Sequence, residues 1–325
     1  MTLHYGIMGA ASIVPRFIAG VAASKSSKVV AIAARNEKRA QKMANDWQIA
    51  TVYPDYQTLC AAPEIDVIYI PLYNRAHFNG AKLALENGKN VLLEKPFTLF
   101  ADQARSLFKL AAQKHVFLME AQKAAFLPIT QQVKALVTSG KLGKIRYLDS
   151  QSSHAGAATI PWFNDLASGG GAFYGSAAYP LDYLQVLLGS AGITGVTGQS
   201  IHVGNESDRQ ASALISFDST LASIFITSTF DLASQMVIHG TKGKIIIPNF
   251  WKTDHAFVTL NDQPTKRLAV KQQSEFSFEV DHVATCLQKG ELVSPIMTPE
   301  ITIQTCQIIE TLYRKWYTNY DQLMR

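Results

Sequence analysis

The sequence predicts an α/β protein: a doubly wound parallel sheet at the N-terminus, followed by an α+β domain built on a large, mainly antiparallel, open-faced sheet. Three observations lead there. The first 120 residues alternate short apolar runs with helix-period segments. From Ile193 to Val270, five or six strand-like runs follow one another with only short turns between them. Apolar residues make up 47% of the 325 and charged residues 17%, enough to bury at least one large core and too hydrophobic for a disordered chain. The length argues for two domains, and the change of pattern places them at 1–120 and 121–325.

In order, Leu3 to Met8 reads as a strand and Pro15 to Ala23 as a helix. Lys28 to Ala34 is a second strand, and the helix after it carries Ala40, Met43, Ala44 and Trp47 on one side. Asp66 to Ile70 is again a strand. The helix from Arg75 to Asn87 stops at Gly88, a residue suited to the left-handed position just past a helix end. Asn90 to Leu93, a helix from Asp102 to Lys114, and Val116 to Met119 complete the first half. Strands this apolar, separated by helices, are buried on both faces, as in a parallel sheet.

Beyond residue 120 a helix over Ile129 to Thr138 ends at Gly140. A strand over Lys144 to Ser153, a glycine-rich stretch and a helix reaching Leu188 come next. Strands then succeed one another without helices, which implies antiparallel pairing. Helices near Phe276 to Leu287 and Pro299 to Tyr317 close the chain.

The 30 Lys+Arg exceed the 25 Asp+Glu by five, with no run of five or six Lys/Arg, so nucleic acid is not an expected partner. No stretch of about 18 apolar residues occurs, so none is expected to enter a membrane. Cys60, Cys286 and Cys306 are odd in number and lack metal-type spacing, which fits a reduced, cytoplasmic chain without disulfides. No His/Cys/Asp/Glu cluster has metal spacing, and there is no G-x-S-x-G nucleophile turn.

The first strand runs into G-I-M-G-A-A-S-I-V and then a helix. A dinucleotide-binding turn of Rossmann type uses G-x-G-x-x-G, whose glycines let the pyrophosphate approach the helix N-terminus. Here Gly9 holds the first position, Ala11 the second and Val14 the third, with Ser12 and Ile13 between. The second strand ends at A-A-R-N, placing Arg35 26 positions beyond Gly9, near the spacing of about 20 at which the ribose is recognised. An Arg there accommodates a 2′-phosphate and favours NADP, while nearby Glu37 could reach a ribose hydroxyl and keeps NAD open. A later strand ends in V-L-L-E-K-P-F, so Glu94 and Lys95 lie at the carboxyl edge where open parallel sheets bind ligands. A lysine there can stabilise the charge that develops on oxygen during hydride transfer.

Together, G-I-M-G-A-A-S-I, A-A-R-N-E-K-R-A, P-L-Y-N-R-A-H-F, G-K-N-V-L-L-E-K-P-F and F-L-M-E-A resemble the Gfo/Idh/MocA oxidoreductases, within them the branch of dimeric dihydrodiol dehydrogenases and NADP-dependent xylose dehydrogenases. The resemblance covers essentially the whole chain. It implies that 1–120 binds the dinucleotide and that 121–325 binds substrate and dimerises. Lys95 matches the catalytic lysine; Pro71, Asn74 and His77 match the loop near the nicotinamide and its ribose. Trp162 belongs to an aromatic segment, I-P-W-F-N, that reaches toward the cofactor. His154 either faces the substrate or has no role.

In G-G-G-A-F-Y-G-S-A-A-Y-P-L-D-Y, Tyr179 falls on the acid/base position. It would need a pKa below the ordinary phenol value of about 10 to exchange protons near neutrality. Gly175 falls where the family has a carboxylate four residues earlier, on the same helical face. That departure leaves two readings of function. One is an NAD(P)-dependent dehydrogenase acting on a polyhydroxylated small molecule such as a sugar, cyclitol or diol; the other is an NADP-binding sensor with little catalysis. A homodimer through the C-terminal sheet is implied by the resemblance and by packing, because an uncovered sheet face would expose an apolar patch.

Overall fold

The computed structural model describes residues 2–190 and 192–324. Its first half runs β1 (Leu3–Met8), α1 (Val14–Ala23), β2 (Ser27–Ala33), α2 (Glu37–Trp47), β3 (Thr51–Tyr53), α3 (Tyr56–Ala61), β4 (Val67–Ile70), α4 (His77–Glu86), β5 (Asn90–Glu94), α5 (Ala101–Lys114) and β6 (Leu118–Ala121). The strands form one parallel sheet in the order β3-β2-β1-β4-β5-β6. Its central strands are apolar because they are covered on both faces: Ile7, Ile32, Val67, Ile68, Val91 and Leu92 are all buried. The order reverses between β1 and β4, and such a switch point opens a crevice at the carboxyl ends of the strands.

Two short elements, β3 and α3, were not expected. A three-residue edge strand is too brief to show periodicity, and α3 is signalled only by Asp55, whose carboxylate accepts from the Thr58 N–H at 2.7 Å as a helix cap. The strand expected at Val116 to Met119 lies two residues later, at Leu118–Ala121. His115 first turns the chain left-handed at φ 54°, and the end of α5 is satisfied before the strand begins.

The second half contains α6 (Lys123–Phe126), α7 (Pro128–Thr138), β7 (Ile145–Ser153), α8 (Ala172–Ser176) and α9 (Ala178–Leu188). It continues with β8 (Ile193–Ile201), β9 (Gln210–Phe217), β10 (Thr220–Thr227), β11 (Gln235–Gly240), β12 (Gly243–Pro248), β13 (His255–Leu260), β14 (Lys266–Ala269), α10 (Ser277–Gln288), α11 (Pro299–Trp316) and α12 (Tyr320–Leu323). The eight strands are ordered β14-β13-β12-β11-β7-β10-β9-β8 and are antiparallel throughout except where β7 meets β10.

Alternation sets the two faces of this sheet. Ala211, Ala213, Ile215, Ala222, Ile224 and Ile226 point to the helix-covered side and are buried, whereas Leu214, Leu221 and Tyr147 stand exposed on the other. The single helix expected to reach Leu188 is broken at Ala177 into α8 and α9. Pro180, near the start of α9, lacks an N–H, and its ring crowds the carbonyl four residues back.

The chain divides into two compact units, Met1–Lys123 with Gln273–Ile303, and Ala124–Gln272 with Gln304–Arg325. The expected division, with 121–325 as one body, therefore needs correction: the chain returns to the first unit for about thirty residues. The contact is close. A Cβ on Gly20 of α1 would come within 2.3 Å of Phe276, Phe17 meets Phe276 edge-on at 6.2 Å, and the Leu118 N–H donates to the Leu292 carbonyl at 3.1 Å. In sequence, 276–287 is an ordinary amphipathic helix and carries no mark of which core it joins.

Candidate active site

In the first unit, the turn after β1 is drawn against the neighbouring strand by Gly9, whose N–H donates to the Ala33 carbonyl at 2.7 Å. Gly9 has φ 121°, a conformation that L side chains rarely adopt, and a Cβ there would lie 3.0 Å from Leu72. The helix that follows begins with no side-chain cap and no acidic residue in its first turn. The segment Ala11, Ser12, Ile13 thus delivers an uncompensated positive helix end, suited to a phosphate.

Beside this turn stand two guanidinium groups. Arg35 lies over the Tyr73 ring at 5.4 Å, and Arg39 donates to the Ala10 carbonyl at 2.9 Å. Asn36 caps α2 by accepting from the Arg39 N–H at 3.0 Å, which fixes the register of both arginines. Glu37, in the first turn of α2, is exposed. Arg39 was not anticipated; its only mark in sequence is the basic run R-N-E-K-R. These features fit a dinucleotide with a charged ribose: a close-approach glycine, an uncapped helix start and paired cations.

The loop after β4 begins at Pro71 and carries Asn74, both buried. His77, expected at the cofactor, is 1% exposed and places both ring nitrogens on backbone carbonyls, Nδ1 at 2.8 Å from Pro96 and Nε2 at 2.9 Å from Leu72. Burial holds its pKa below the ordinary imidazole value although both carbonyls favour the charged ring. Its hydrogen-bonding capacity is spent tying this loop to the segment after Lys95.

At the end of β5, Glu94 turns inward, accepting from the Tyr69 hydroxyl at 2.7 Å and from the Lys95 N–H at 3.2 Å. Burial lowers the pKa of Lys95, with Glu94 and Glu120 pulling the other way. A lysine so placed is a donor whose charge is weakly solvated, the condition in which it best stabilises a developing alkoxide. A second cation at this edge escaped sequence reading. Lys123, 3% exposed and just past β6, lies 3.5 Å from the Glu275 carboxylate and 4.5 Å from the Phe276 ring, and burial lowers its pKa to about 8. Arg16 also pairs with Glu275, so one carboxylate serves two cations. Nothing in the sequence ties Lys123 to residue 275, 152 positions away.

In the second unit, every residue from Ala172 to Leu187 is buried except Gly175 and Tyr179. They share a face, as a spacing of four requires. The Tyr179 ring lies 5.9 Å from Trp251, which also meets His154 at 5.5 Å and Phe250 edge-on at 5.2 Å. Trp251, between two strands, had no motif to flag it. Trp162 sits in a short 3-10 turn, Pro161–Asn164, edge-on to Phe163 at 6.4 Å.

Below this face the helix is anchored by buried polar groups. Gln185 donates to the Thr305 hydroxyl at 2.7 Å, and Thr305 donates to Asp182 at 2.6 Å. Asp208 accepts from the Phe173 N–H at 2.9 Å and from the Tyr313 hydroxyl, closing the start of α8. Burial pushes the Asp208 carboxyl up to about 6. Among the described residues no group of His, Cys, Asp or Glu could hold a metal ion, and no helix is long and apolar enough to cross a membrane.

Two family models match the chain. An oxidoreductase family with an NAD-binding Rossmann fold covers residues 3–122, and the GFO/IDH/MocA C-terminal domain covers 130–246. The trans-1,2-dihydrobenzene-1,2-diol dehydrogenase of Xenopus tropicalis is 28% identical over 308 residues, spanning 92% of this chain and 93% of its own. Among solved structures, a 3-ketoreductase from Actinomadura kijaniata in complex with NADP and TDP-benzene superposes with a TM-score of 0.85 at 20% identity, covering 98% of each chain. An aldose-aldose oxidoreductase from Caulobacter crescentus complexed with glycerol gives 0.84 at 20% identity and 97% of each. At these identities the structural likeness speaks for the fold.

Proposed function

The chain belongs to the Gfo/Idh/MocA oxidoreductases, and from that premise we propose that it transfers hydride between NADP and a carbinol or carbonyl carbon of a small vicinal diol, sugar or cyclitol. The observation that carries this reading is Lys95, a half-buried lysine at the carboxyl edge of the parallel sheet that also carries the Gly9 turn. The diol dehydrogenase relative supports a diol among the candidate substrates. The exposed Arg35 and Arg39 beside the turn support NADP over NAD.

When bound, NADP supplies the hydride acceptor or donor at nicotinamide C4. The Ala11–Ser12–Ile13 backbone receives its pyrophosphate and Arg35 its 2′-phosphate. Pro71 and Asn74 border the nicotinamide ribose, with His77 bracing their loop and Glu94 fastening the lysine's backbone. Trp162, in the aromatic segment Pro161–Asn164, is a further candidate cofactor contact. In the oxidising direction Tyr179 would take the substrate's hydroxyl proton, and bound NADP would supply the acceptor for the hydride that the carbinol carbon gives up as its C–O bond becomes a carbonyl. Lys95 donates a hydrogen bond to that oxygen and offsets its developing negative charge. In reduction Tyr179 returns the proton.

Removing Lys95 as Lys95→Ala should lower kcat by about 10²–10³ while NADPH affinity stays within about threefold. Unchanged turnover would sink the assignment. The exposed Leu214, Leu221 and Tyr147 on the uncovered face of the eight-stranded sheet support a homodimer formed through that face.

A further inference from the structure

We propose that Phe163, seated against the bare backbone of Gly175, makes the wall beside the Tyr179 phenol apolar and selects substrates that present carbon and hydrogen there, not a hydroxyl. The proposal rests on Tyr179 being the proton-exchanging group.

Between Ala172 and Leu187 solvent reaches α8 and α9 at two positions, Gly175 and Tyr179, one turn apart on a single face. Helical side chains lean toward the helix N-terminus, which carries the Tyr179 ring over the turn that contains Gly175. A Cβ at residue 175 would stand 3.0 Å from Cε2 of Phe163 and 3.9 Å from Cδ2. The ring edge reaches the helix backbone only because residue 175 has no side chain. Phe163 is 6% exposed, so the ring is a fixed wall. Its N–H donates to the Ile160 carbonyl at 3.0 Å, and its carbonyl accepts from the Ser207 hydroxyl at 2.7 Å. A Cβ on Gly170 would lie 2.3 Å from that same carbonyl oxygen, so the segment has no room to lift away.

An aromatic edge neither accepts nor donates an ordinary hydrogen bond. A substrate hydroxyl pressed against it loses water and gains no partner, whereas a C–H loses nothing. A binding wall of this kind discriminates by about 10- to 100-fold in kcat/KM.

The test compares two six-membered carbocycles in NADP reduction: trans-1,2-cyclohexanediol, whose carbons beyond the diol bear only hydrogen, and myo-inositol, with a hydroxyl on every carbon. Wild type, Phe163→Leu and Phe163→Gln are measured, with NADPH binding by fluorescence confirming that each variant is folded. Wild type and Phe163→Leu should favour the cyclohexanediol by about 10- to 100-fold, and Phe163→Gln, which offers an amide at the same place, should cut that ratio by about tenfold or more. A wild-type preference for myo-inositol, or equal ratios in the Leu and Gln variants, overturns the role of Phe163 while Tyr179-dependent turnover leaves the functional reading intact. If wild type reduces no NADP with either compound and Tyr179→Phe changes nothing on any diol, the functional reading fails and this proposal fails with it.

Discussion

In the proposed function the preference for NADP rests on Arg35, an exposed guanidinium beside Tyr73, with Arg39 close by in the first turn of α2. Arg35→Ala should weaken NADPH binding by about tenfold or more, roughly 1.4 kcal/mol or above, and leave NADH binding unchanged; equal losses for both cofactors would remove the 2′-phosphate role. Lys95 makes a prediction in pH. Burial lowers its pKa, so its ammonium form is lost at a pH below the ordinary lysine range, and turnover should fall on the alkaline side from that lower pH. In Lys95→Arg, which stays charged, that alkaline limb should disappear from kcat. Lys95 and Arg35 were legible in the sequence because each sits at a fixed offset from a strand end. Lys123, Phe163 and Trp251 were not, because their importance arises from partners distant in the chain: Glu275, Gly175 and Tyr179.

At the scale of elements, the helix pair that presents Tyr179 is held at its start by Asp208. This carboxyl is buried and its pKa is raised to about 6 from the ordinary 3.8, despite hydrogen bonds from Tyr313 and Phe173 that favour the charged form. The folded state therefore binds a proton that the unfolded chain has already released between about pH 4 and 6. Stability from this group is fullest below that window and is lost as pH rises through it, on the order of 3 kcal/mol in all. Asp208→Asn should flatten that part of the stability-versus-pH curve in urea unfolding; an unaltered curve would show that Asp208 is not its source. The elements themselves were largely legible. Apolar runs of three or more residues were enough for β1, β2, β4 and β5, and glycines marked helix ends at Gly88 and Gly140. β3 was too short to show a period, and the break before α9 follows from Pro180, whose effect a continuous apolar stripe conceals.

For the whole molecule, the change from alternating to successive strands gave both sheets. It could not reveal that 273–303 rejoins the first unit, since that depends on Phe276 finding Gly20. The uncovered sheet face makes its own prediction: wild type should sediment as a dimer, and Leu214→Glu with Leu221→Glu should yield a folded monomer. A wild-type monomer at micromolar concentration would remove the sheet-mediated dimer. The central claim, NADP-linked hydride transfer assisted by Lys95 and Tyr179, is tested most directly by NADP reduction across a panel of vicinal diols and sugars. The panel is run with wild type, Lys95→Ala and Tyr179→Phe, with NADPH affinity measured alongside. The account predicts turnover of at least one diol by wild type, a fall in kcat of about 10²–10⁴ in each variant, and cofactor affinities within about threefold of one another. Tight NADPH binding by wild type with no turnover on any member of the panel, or variants as active as wild type, would contradict it.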